Sequence, residues 1–359
     1  MSSFSRQILR GLLAVALLAP WLAQAEPYLA VRYGVKCVNC HINPTGGGLR
    51  SAAGHAFLKG AIASNSAPEP LSDWSGNLFD DRLRLGGDLR TSSVSTDVPG
   101  KGSTRVGGTE QARLYADLQL VKDYLGVYLD QQVAPGKALR QEGYVRVSTP
   151  GLGWYAKAGQ FYLPFGWRLQ DSLAFVRQLS GVSMTVPDKG VEIGMERDEW
   201  SAQIASTSGA GNGRQLTGQV TWLQSWGRVG AALARVNGTG GDRQAWGLFA
   251  GTTTGPVAWL GEVDLVSDSG YPEGTRKQVA TLLEANWLVQ QGHNLKLTSE
   301  YLDPDRKVAN DYKSRLSLVY EYTPIAFMQL RAGWRKFGGI PQNALDNRRQ
   351  LFAELHAMF

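Results

Sequence analysis

The sequence predicts an all-β protein, an antiparallel barrel of about 16 strands that spans a membrane. Three observations support this fold. Segments of alternating polarity follow one another from residue 83 to residue 359, their connections alternate between short and long, and Trp and Tyr recur near segment ends. The chain is rich in glycine and aromatic residues, with 43 Gly, 11 Trp and 13 Tyr in 359 residues, which favours a β protein.

The alternation is clearest near the end of the chain, where successive side chains must point to opposite faces of a strand. The three last segments are YKSRLSLVYEY, AFMQLRAGW and LFAELHAMF, and each has one apolar face and one polar face, with Val319 as the exception. The last segment ends on Phe359, which resembles the closing strand of bacterial outer-membrane proteins. Alternation alone also fits a soluble sandwich, and the connections and the aromatic residues favour the barrel. Apolar-face residues are Leu316, Leu318, Tyr320, Leu330, Trp334, Leu351 and Leu355.

The connections between the strands alternate between short turns and long loops. This alternation predicts that all the short turns lie on one side of the membrane and all the long loops on the other. Short turns on the periplasmic side and longer outer loops are typical of outer-membrane barrels. An even number of strands then returns both termini to the periplasmic side. The predicted short turns are Lys122–Asp123, 150–153, Ser225–Trp226 and Thr323–Pro324, and the predicted long loops are 92–109, 163–188, 267–276 and 336–348.

The long connection at residues 163–189 is either a functional loop or a plain outer loop with a short helix. Its length and the segment GQFYLPFGWRLQD resemble the constriction loop that folds into the lumen of porins. If the loop folds inward, Arg168, Asp171 and Arg177 place charge at the narrowest point of the lumen.

The chain divides into four parts. Residues 1–25 resemble a secretory leader, with a basic front, the apolar run GLLAVALLAPWLA, and Ala-Gln-Ala before Glu26. Residues 26–62 form a compact segment, residues 63–81 a Pro/Ser-rich linker, and residues 82–359 the barrel. The protein is therefore expected to be exported to the bacterial outer membrane and to contact its lipid.

The charge pattern excludes some functions. The net charge is +6, but Lys and Arg are scattered among acidic residues without a basic run, so nucleic acid is not an expected partner. Four scattered histidines support no hydrolytic or transferase site.

Both cysteines lie in Cys37-Val38-Asn39-Cys40-His41, the C-x-x-C-H signature of covalent c-type haem attachment. The two thioethers reach one edge of the porphyrin, and His41 then lies under the iron as its proximal ligand. Three alternatives compete: a structural disulfide, which does not need His41, a thioredoxin-like pair, which needs a βαβ setting, and a zinc site, which needs two more ligands. The expected cofactor is one covalent haem c.

The sixth iron ligand is predicted less directly. His55 lies in the same segment and can fold back across Gly46–Gly48, so it is the candidate ligand. His356 and Met358 fall on the polar face of the last strand, and His293 lies at a predicted turn. A five-coordinate iron is the remaining alternative.

The haem segment is expected to lie inside the barrel. A domain under about 40 residues seldom buries enough surface to fold alone. A 16-stranded barrel has a lumen wide enough for a channel, and other barrels fill that space with a plug. Because the apolar band of such a barrel is about 25 Å tall, a single haem must be raised into the pore to connect both sides.

The segment YLAVRYGVKCVNCHINPTGGGLRSAAGHAF (28–57), followed by a barrel, resembles the fused outer-membrane cytochrome–porins, best known from iron-oxidising bacteria. The resemblance implies electron transfer between an extracellular donor or acceptor and periplasmic carriers such as soluble cytochromes. If the outer partner is a metal ion such as iron, the haem edge is the site of oxidation, and if it is a cytochrome, the chain is a carrier. The alternatives are a solute channel that residues 26–62 plug or gate, and a haem-containing sensor or adhesin.

Overall fold

The computed structural model describes residues 26–182, 186–209, 213–238 and 240–359, so the predicted leader lies outside the described residues. Four short helices are present: α1 (Pro27–Arg32), α2 (Cys37–Cys40), α3 (Ala52–Phe57) and α4 (Phe175–Ser180). Among the described residues, no helix is both long and apolar enough to cross a membrane. The strands are β1 (Asn77–Leu78), β2 (Leu83–Val98), β3 (Gly102–Val121), β4 (Leu125–Ala134), β5 (Leu139–Thr149), β6 (Trp154–Phe161), β7 (Asp188–Glu196), β8 (Trp200–Thr207), β9 (Arg214–Gln224), β10 (Gly227–Gly238), β11 (Gly241–Thr254), β12 (Val257–Asp268), β13 (Arg276–Gln290), β14 (His293–Asp303), β15 (Lys313–Ile325), β16 (Met328–Gly338) and β17 (Arg349–Met358).

Strands β2 to β17 form a closed antiparallel barrel, which confirms the predicted fold. Each strand pairs with its neighbours in the chain, and β17 closes the barrel on β2 with Met358 opposite Asp88. The short strand β1, in the predicted linker, adds to the start of β2. Of the 17 strands in the sheet, 16 therefore belong to the barrel.

The barrel turns its apolar faces outward. In β15, Leu316 and Leu318 are 41% and 43% exposed, whereas the intervening Ser317 is 2% exposed and faces the lumen. Val319, the exception in the pattern, lies on the inner face and is buried. Backbone groups in lipid must be paired within the protein, and a closed barrel achieves this because it has no free edge. Other exposed apolar residues of the strands include Leu118, Val127, Val145, Ile193, Ile204, Val220, Leu248, Val263, Leu283, Leu297, Leu330 and Leu351.

Exposed aromatic side chains concentrate at the end of the barrel that carries the short turns, here called the short-turn end. Such residues belong at a membrane interface, where the ring is half in lipid and the polar tip is in water. On the opposite side, Tyr301 and Tyr312 stack with their ring centroids 5.6 Å apart. The aromatic residues of the short-turn end are Tyr124, Trp154, Trp200, Trp222, Trp226, Trp259 and Trp287.

Two predicted connections were wrong. Residues 92–109 are not a loop but belong largely to β2 and β3, which extend as a hairpin and turn only at residues 99–101. The turn predicted at Thr323–Pro324 lies at residues 326–327, because Pro324 continues β15 where the pairing register shifts between Tyr322 and Ile325. Proline lacks a backbone N–H, so an interrupted position in the ladder accommodates it.

Residues 26–62 lie inside the lumen, as predicted. Helix α1 packs against the inner face of β11 and β12, where Val31 fills the space beside Gly251. The segment then leaves the lumen at the short-turn end, where Ser64 N–H donates to the Thr323 carbonyl over 2.9 Å.

The connection between β6 and β7 also folds inward, as its resemblance to the constriction loop of porins predicts, and it carries the short helix α4. Asp171 lies 2.8 Å from Arg315 and 3.6 Å from Arg335, both on the inner wall. At the start of α4, Phe175 N–H donates to Glu300 over 2.8 Å. The lumen is therefore filled from the short-turn end by the N-terminal segment and at mid-height by this inward loop.

Candidate haem site

The C-x-x-C-H motif folds as one helical turn followed by a tight hairpin. Cys37 and Cys40 lie in α2, and His41 leaves that helix in an extended conformation. His41 then pairs with Arg50 across an antiparallel bridge, and Ile42 N–H donates to the Leu49 carbonyl over 3.0 Å. The helix places both thiols on one side, and the hairpin returns the chain across them.

The glycines of this hairpin are required by its shape. Gly46, Gly47 and Gly48 all have positive φ angles, between 64° and 88°, which L side chains rarely adopt. A Cβ atom at Gly46 would lie 3.3 Å from the Cys37 sulfur. The triplet therefore keeps the space around that sulfur free.

His41 is a neutral imidazole in the folded chain. The side chain is buried, and burial together with Arg50 and Arg168 lowers its pKa from 6.5 to about 3. Its Nδ1 atom is buried and has no hydrogen-bond partner. A neutral imidazole with an unpaired ring nitrogen is the form of histidine that binds a metal.

The motif borders a small cavity of about 40 Å³ between the N-terminal segment and the inward loop. This space is smaller than a porphyrin, so a haem attached at the motif would displace the parts of the segment and of the loop that now border it. Cys37, Cys40 and His41 line one side, and Arg168 and Gln170 of the inward loop line the other. The remaining lining includes Leu29, Ala30, Val35 and Phe57.

Two arginines lie beside the motif, the buried Arg50 in the hairpin and the half-buried Arg168 in the inward loop. Arg50 is 6% exposed, and its guanidinium group donates a hydrogen bond to Met358 Sδ over 3.2 Å. Burial lowers its pKa to about 10, although Tyr115 and Asp88 oppose this shift. Arg168 donates to the Thr45 hydroxyl, and its Nη2 atom is buried without a partner. Both guanidinium groups are suited to the carboxylates of a haem.

His55 is buried in the same segment but is not among the described residues that line the cavity. Its pKa is lowered to about 3 by burial and by Arg50, so it too is neutral, and its Nε2 has no partner. That nitrogen faces Gly76, where an added Cβ atom would lie 3.4 Å from it. Ligation of a haem iron by His55 therefore stays a prediction.

The other candidate ligands have partners of their own. His356 lies buried next to Arg90, 3.2 Å from its guanidinium, and Met358 accepts the hydrogen bond from Arg50. His293 stacks on Tyr322 at the short-turn end, with ring centroids 4.5 Å apart. The described residues contain no cluster of three or more His, Cys, Asp and Glu that could hold a bare metal ion.

Barrel side chains hold the motif in place, and the sequence alone did not reveal them. Asn43 donates to both oxygens of Glu142 over 3.1 and 3.2 Å, and Arg146 donates to the Ile42 carbonyl over 2.5 Å. Lys36, just before the motif, lies 3.0 Å from Glu196. These partners are 99 to 160 residues apart in the chain, so no local pattern connects them.

The residues present fit a covalently attached haem. Both thiols are free and half-buried, the ring of His41 is neutral, and all three groups line one cavity. Cys37 and Cys40 would hold the porphyrin, His41 would ligate its iron, and Arg50 and Arg168 would meet its carboxylates. Attachment of haem at the C-x-x-C-H motif stays a prediction.

No family model and no curated protein matches the chain. Many solved structures share its fold, among them the following three. OmpT of Vibrio cholerae, as a loop L8 deletion mutant, is 15% identical with a TM-score of 0.62 over 77% of this chain and 99% of its own. An anion-selective porin from Comamonas acidovorans is 14% identical over 77% and 99%, and OmpF of Salmonella typhi is 12% identical over 79% and 99%, both with a TM-score of 0.62.

The apolar exterior and the interfacial aromatic residues decide where such a closed barrel lies. The chain is an outer-membrane β-barrel. The C-x-x-C-H motif lies near the short-turn end of the lumen, where Lys36 contacts Glu196, and in outer-membrane barrels the short turns typically face the periplasm. The cavity beside the motif extends from there to the inward loop.

Proposed function

We propose that this barrel is an electron conduit, in which one covalent haem passes electrons between an extracellular partner and periplasmic carriers. The observation that carries the proposal is that two free thiols and a neutral histidine surround one cavity inside the lumen. A barrel that only passes solutes has no use for that set of groups. The fused cytochrome–porins that segment 28–57 resembles combine the same two parts.

A haem bound here would supply reversible one-electron chemistry, and the residues of the chain would set its conditions. His41 provides a ligand that stays neutral across the physiological pH range. The buried Arg50 and the half-buried Arg168 add positive charge beside the motif, which would stabilise the reduced, more electron-rich state of the haem. The inward loop separates the cavity from the extracellular half of the lumen, so exchange on that side would pass through or around it.

The proposal can be tested in two steps. Protein isolated from outer membranes is first analysed for covalent haem by pyridine haemochrome spectrum and intact mass. The protein is then oriented in liposomes, and reduction of its haem is followed after a membrane-impermeant reductant is added on each side in turn. Response to both sides is expected. A mature chain with unmodified thiols, or a haem that responds to one side only, would contradict the proposal.

A second candidate, a solute channel, is favoured by the fold. The solved structures that share the fold include an anion-selective porin. They also include an outer-membrane channel, DcaP of Acinetobacter baumannii, which has a TM-score of 0.56 to this chain. In this alternative, residues 26–62 plug or gate the pore. Planar-bilayer conductance of the full chain separates the two functions, because a solute channel must open with the segment present, whereas a conduit with a filled lumen conducts few ions throughout. Removal of residues 26–62 should raise conductance in both cases and serves as the control that the barrel has inserted.

A further inference from the structure

A compact group of buried charges surrounds the first described residue of the chain. This lumenal charge cluster consists of Glu26, Arg90, Glu284, Lys296, Glu321, Arg331 and Glu354, each no more than 9% exposed. Lys296 binds Glu26 and lies 3.3 Å from Glu321 and 4.0 Å from Glu284. Arg331 lies within 3.5 Å of Glu26, Glu321 and Glu354, and Arg90 lies 3.1 Å from Glu354.

The cluster contains one more carboxylate than cations. Its acids are the four glutamates and its bases are one lysine and two arginines, so its sum is four negative and three positive charges. The nearby buried charges outside the cluster occur in equal numbers: Asp171 and Glu300 contact Arg315 and Arg335, and Arg50 lies near Asp88. A buried charge without a counter-charge is costly, so a further cation is expected in the cluster.

A buried oxygen atom that accepts no hydrogen bond also indicates that the cluster binds a further cation. Asn294 is 3% exposed and donates to Glu321 over 2.9 Å, and its own Oδ1 has no hydrogen-bond partner. Glu284 accepts from Asn286 and Thr298 but lies no closer than 4.0 Å to Lys296. A primary ammonium group has three donors and could satisfy such oxygen acceptors.

We infer that the lumenal charge cluster is a binding site for the α-ammonium group of the mature chain. The predicted leader ends at Ala25, so its removal creates that group on Glu26, whose side chain is already seated in the cluster. An α-amino group has a pKa near 7.7–8.0 and is mostly charged at pH 7. Before cleavage, the same atom is an uncharged amide and cannot balance the cluster.

The inference makes leader removal a condition for seating the N-terminal segment. In the processed chain, the side-chain carboxylate of Glu26 contacts Lys296 and Arg331. Its α-ammonium group balances the one negative charge by which the glutamates of the cluster exceed the cations. In the unprocessed chain, a peptide bond takes the place of that ammonium group. None of its members belongs to the C-x-x-C-H motif, although Glu26 also lines the cavity beside that motif.

The test is acylation of amines on the purified, folded mature protein in detergent. N-terminal sequencing should first place the start of the mature chain at Glu26, and another start would overturn the inference. A water-soluble amine-reactive ester is then added at pH 7, and acylation is quantified by peptide mass spectrometry. The α-amine of Glu26 should react at least about tenfold more slowly in the folded barrel than after denaturation, whereas the exposed Lys101 should react alike in both states.

Two variants separate ion pairing from simple burial. Insertion of Gly-Ser between Ala25 and Glu26 moves the ammonium group out of the cluster, so its acylation should approach the denatured rate. Glu284→Gln keeps the shape but removes the excess charge, so the pH profile of α-amine acylation should shift to lower pH. Equal rates in folded and denatured wild type, an insertion that leaves protection unchanged, or an unshifted Glu284→Gln profile would each overturn the inference.

Discussion

Gly48 offers a direct test of how the N-terminal segment sits in the barrel. A Cβ atom at Gly48 would lie under 3.0 Å from the Tyr128 hydroxyl oxygen, a distance that Cβ atoms essentially never show. Tyr128 cannot easily move away, because it is 1% exposed and stacks on Tyr144 with ring centroids 5.0 Å apart. Its hydroxyl oxygen also accepts the Leu49 N–H over 3.1 Å.

The cost of Gly48→Ala can be worked out from these contacts. The positive φ of 64° costs an alanine about 1–2 kcal/mol. Displacement of the tyrosine leaves the buried Leu49 N–H unpaired, which costs about 1–3 kcal/mol more. The total of about 2–5 kcal/mol corresponds to a roughly 30- to 4,000-fold rise in the undocked population of the segment. Gly34→Ala is the matched control, because Gly34 has a φ of 62° and open space around it. This substitution should therefore lower the stability of the docked segment only through its unfavourable backbone conformation.

The assay is limited proteolysis of the folded barrel, in which cleavage within residues 26–62 follows the undocked population. Resistance of the barrel to unfolding in SDS without heating shows that the barrel itself is intact. Tyr128→Phe should relieve the clash, since the next atom of that ring lies 3.5 Å from the added Cβ. The double variant should therefore be cleaved no faster than Gly48→Ala alone. Equal cleavage of the Gly48→Ala and Gly34→Ala proteins, or additive effects of Gly48→Ala and Tyr128→Phe, would refute the reasoning.

The other predictions concern the cofactor, pH and the inward loop. Replacement of Cys37 and Cys40 by Ser should abolish the covalent haem in the intact mass while the SDS-resistant barrel persists, and a haem-linked mass in this variant would contradict the assignment. In this haem-free protein, acid should release the segment: the pKa values of His41 and His55 are about 3 when folded and near 6.5 when unfolded, so the unfolded state binds protons first. The stabilisation is complete above pH 6.5 and is lost as the pH falls toward 3, by up to about 1.4 kcal/mol per pH unit for each histidine. Proteolysis at stepped pH measures this, and His55→Phe should roughly halve the slope. Asp171→Asn removes the carboxylate that binds Arg315 and Arg335 and should raise single-channel conductance, whereas Asp97→Asn on the exposed β2–β3 hairpin should not. Unchanged conductance in the first variant would show that other contacts hold the loop.

Much of the barrel could be predicted because its signal is local. A strand exposed to lipid on one side alternates with period two, so the start at Leu83, the sixteen strands and the outward face of β15 followed from the pattern. The β2–β3 hairpin was missed because its outer part is rich in Ser, Thr and Gly. Such residues resemble a loop in sequence, but strand pairing there depends on backbone hydrogen bonds and not on an apolar face.

The candidate site was predictable only in part. Cys37, Cys40 and His41 stand within five residues, so their shared chemistry is visible in the sequence, and Gly46–Gly48 indicates a turn beside them. The partners that complete the site come from distant strands. Glu142 and Lys296 are two among many acidic and basic residues, and only the closed barrel brings them to Asn43 and Glu26.

The pairing of β2 with β17 sets an order of events during biogenesis. The seam joins the two ends of the barrel, Phe359 at its base exchanges backbone hydrogen bonds with Gly87, and its ring lies against Trp74. Because Trp74 belongs to the linker and Phe359 is the last residue of the closing strand, their contact can form only once β17 lies beside β2. The linker is thus fastened after the barrel has closed, and the segment before it can still exchange between docked and undocked states.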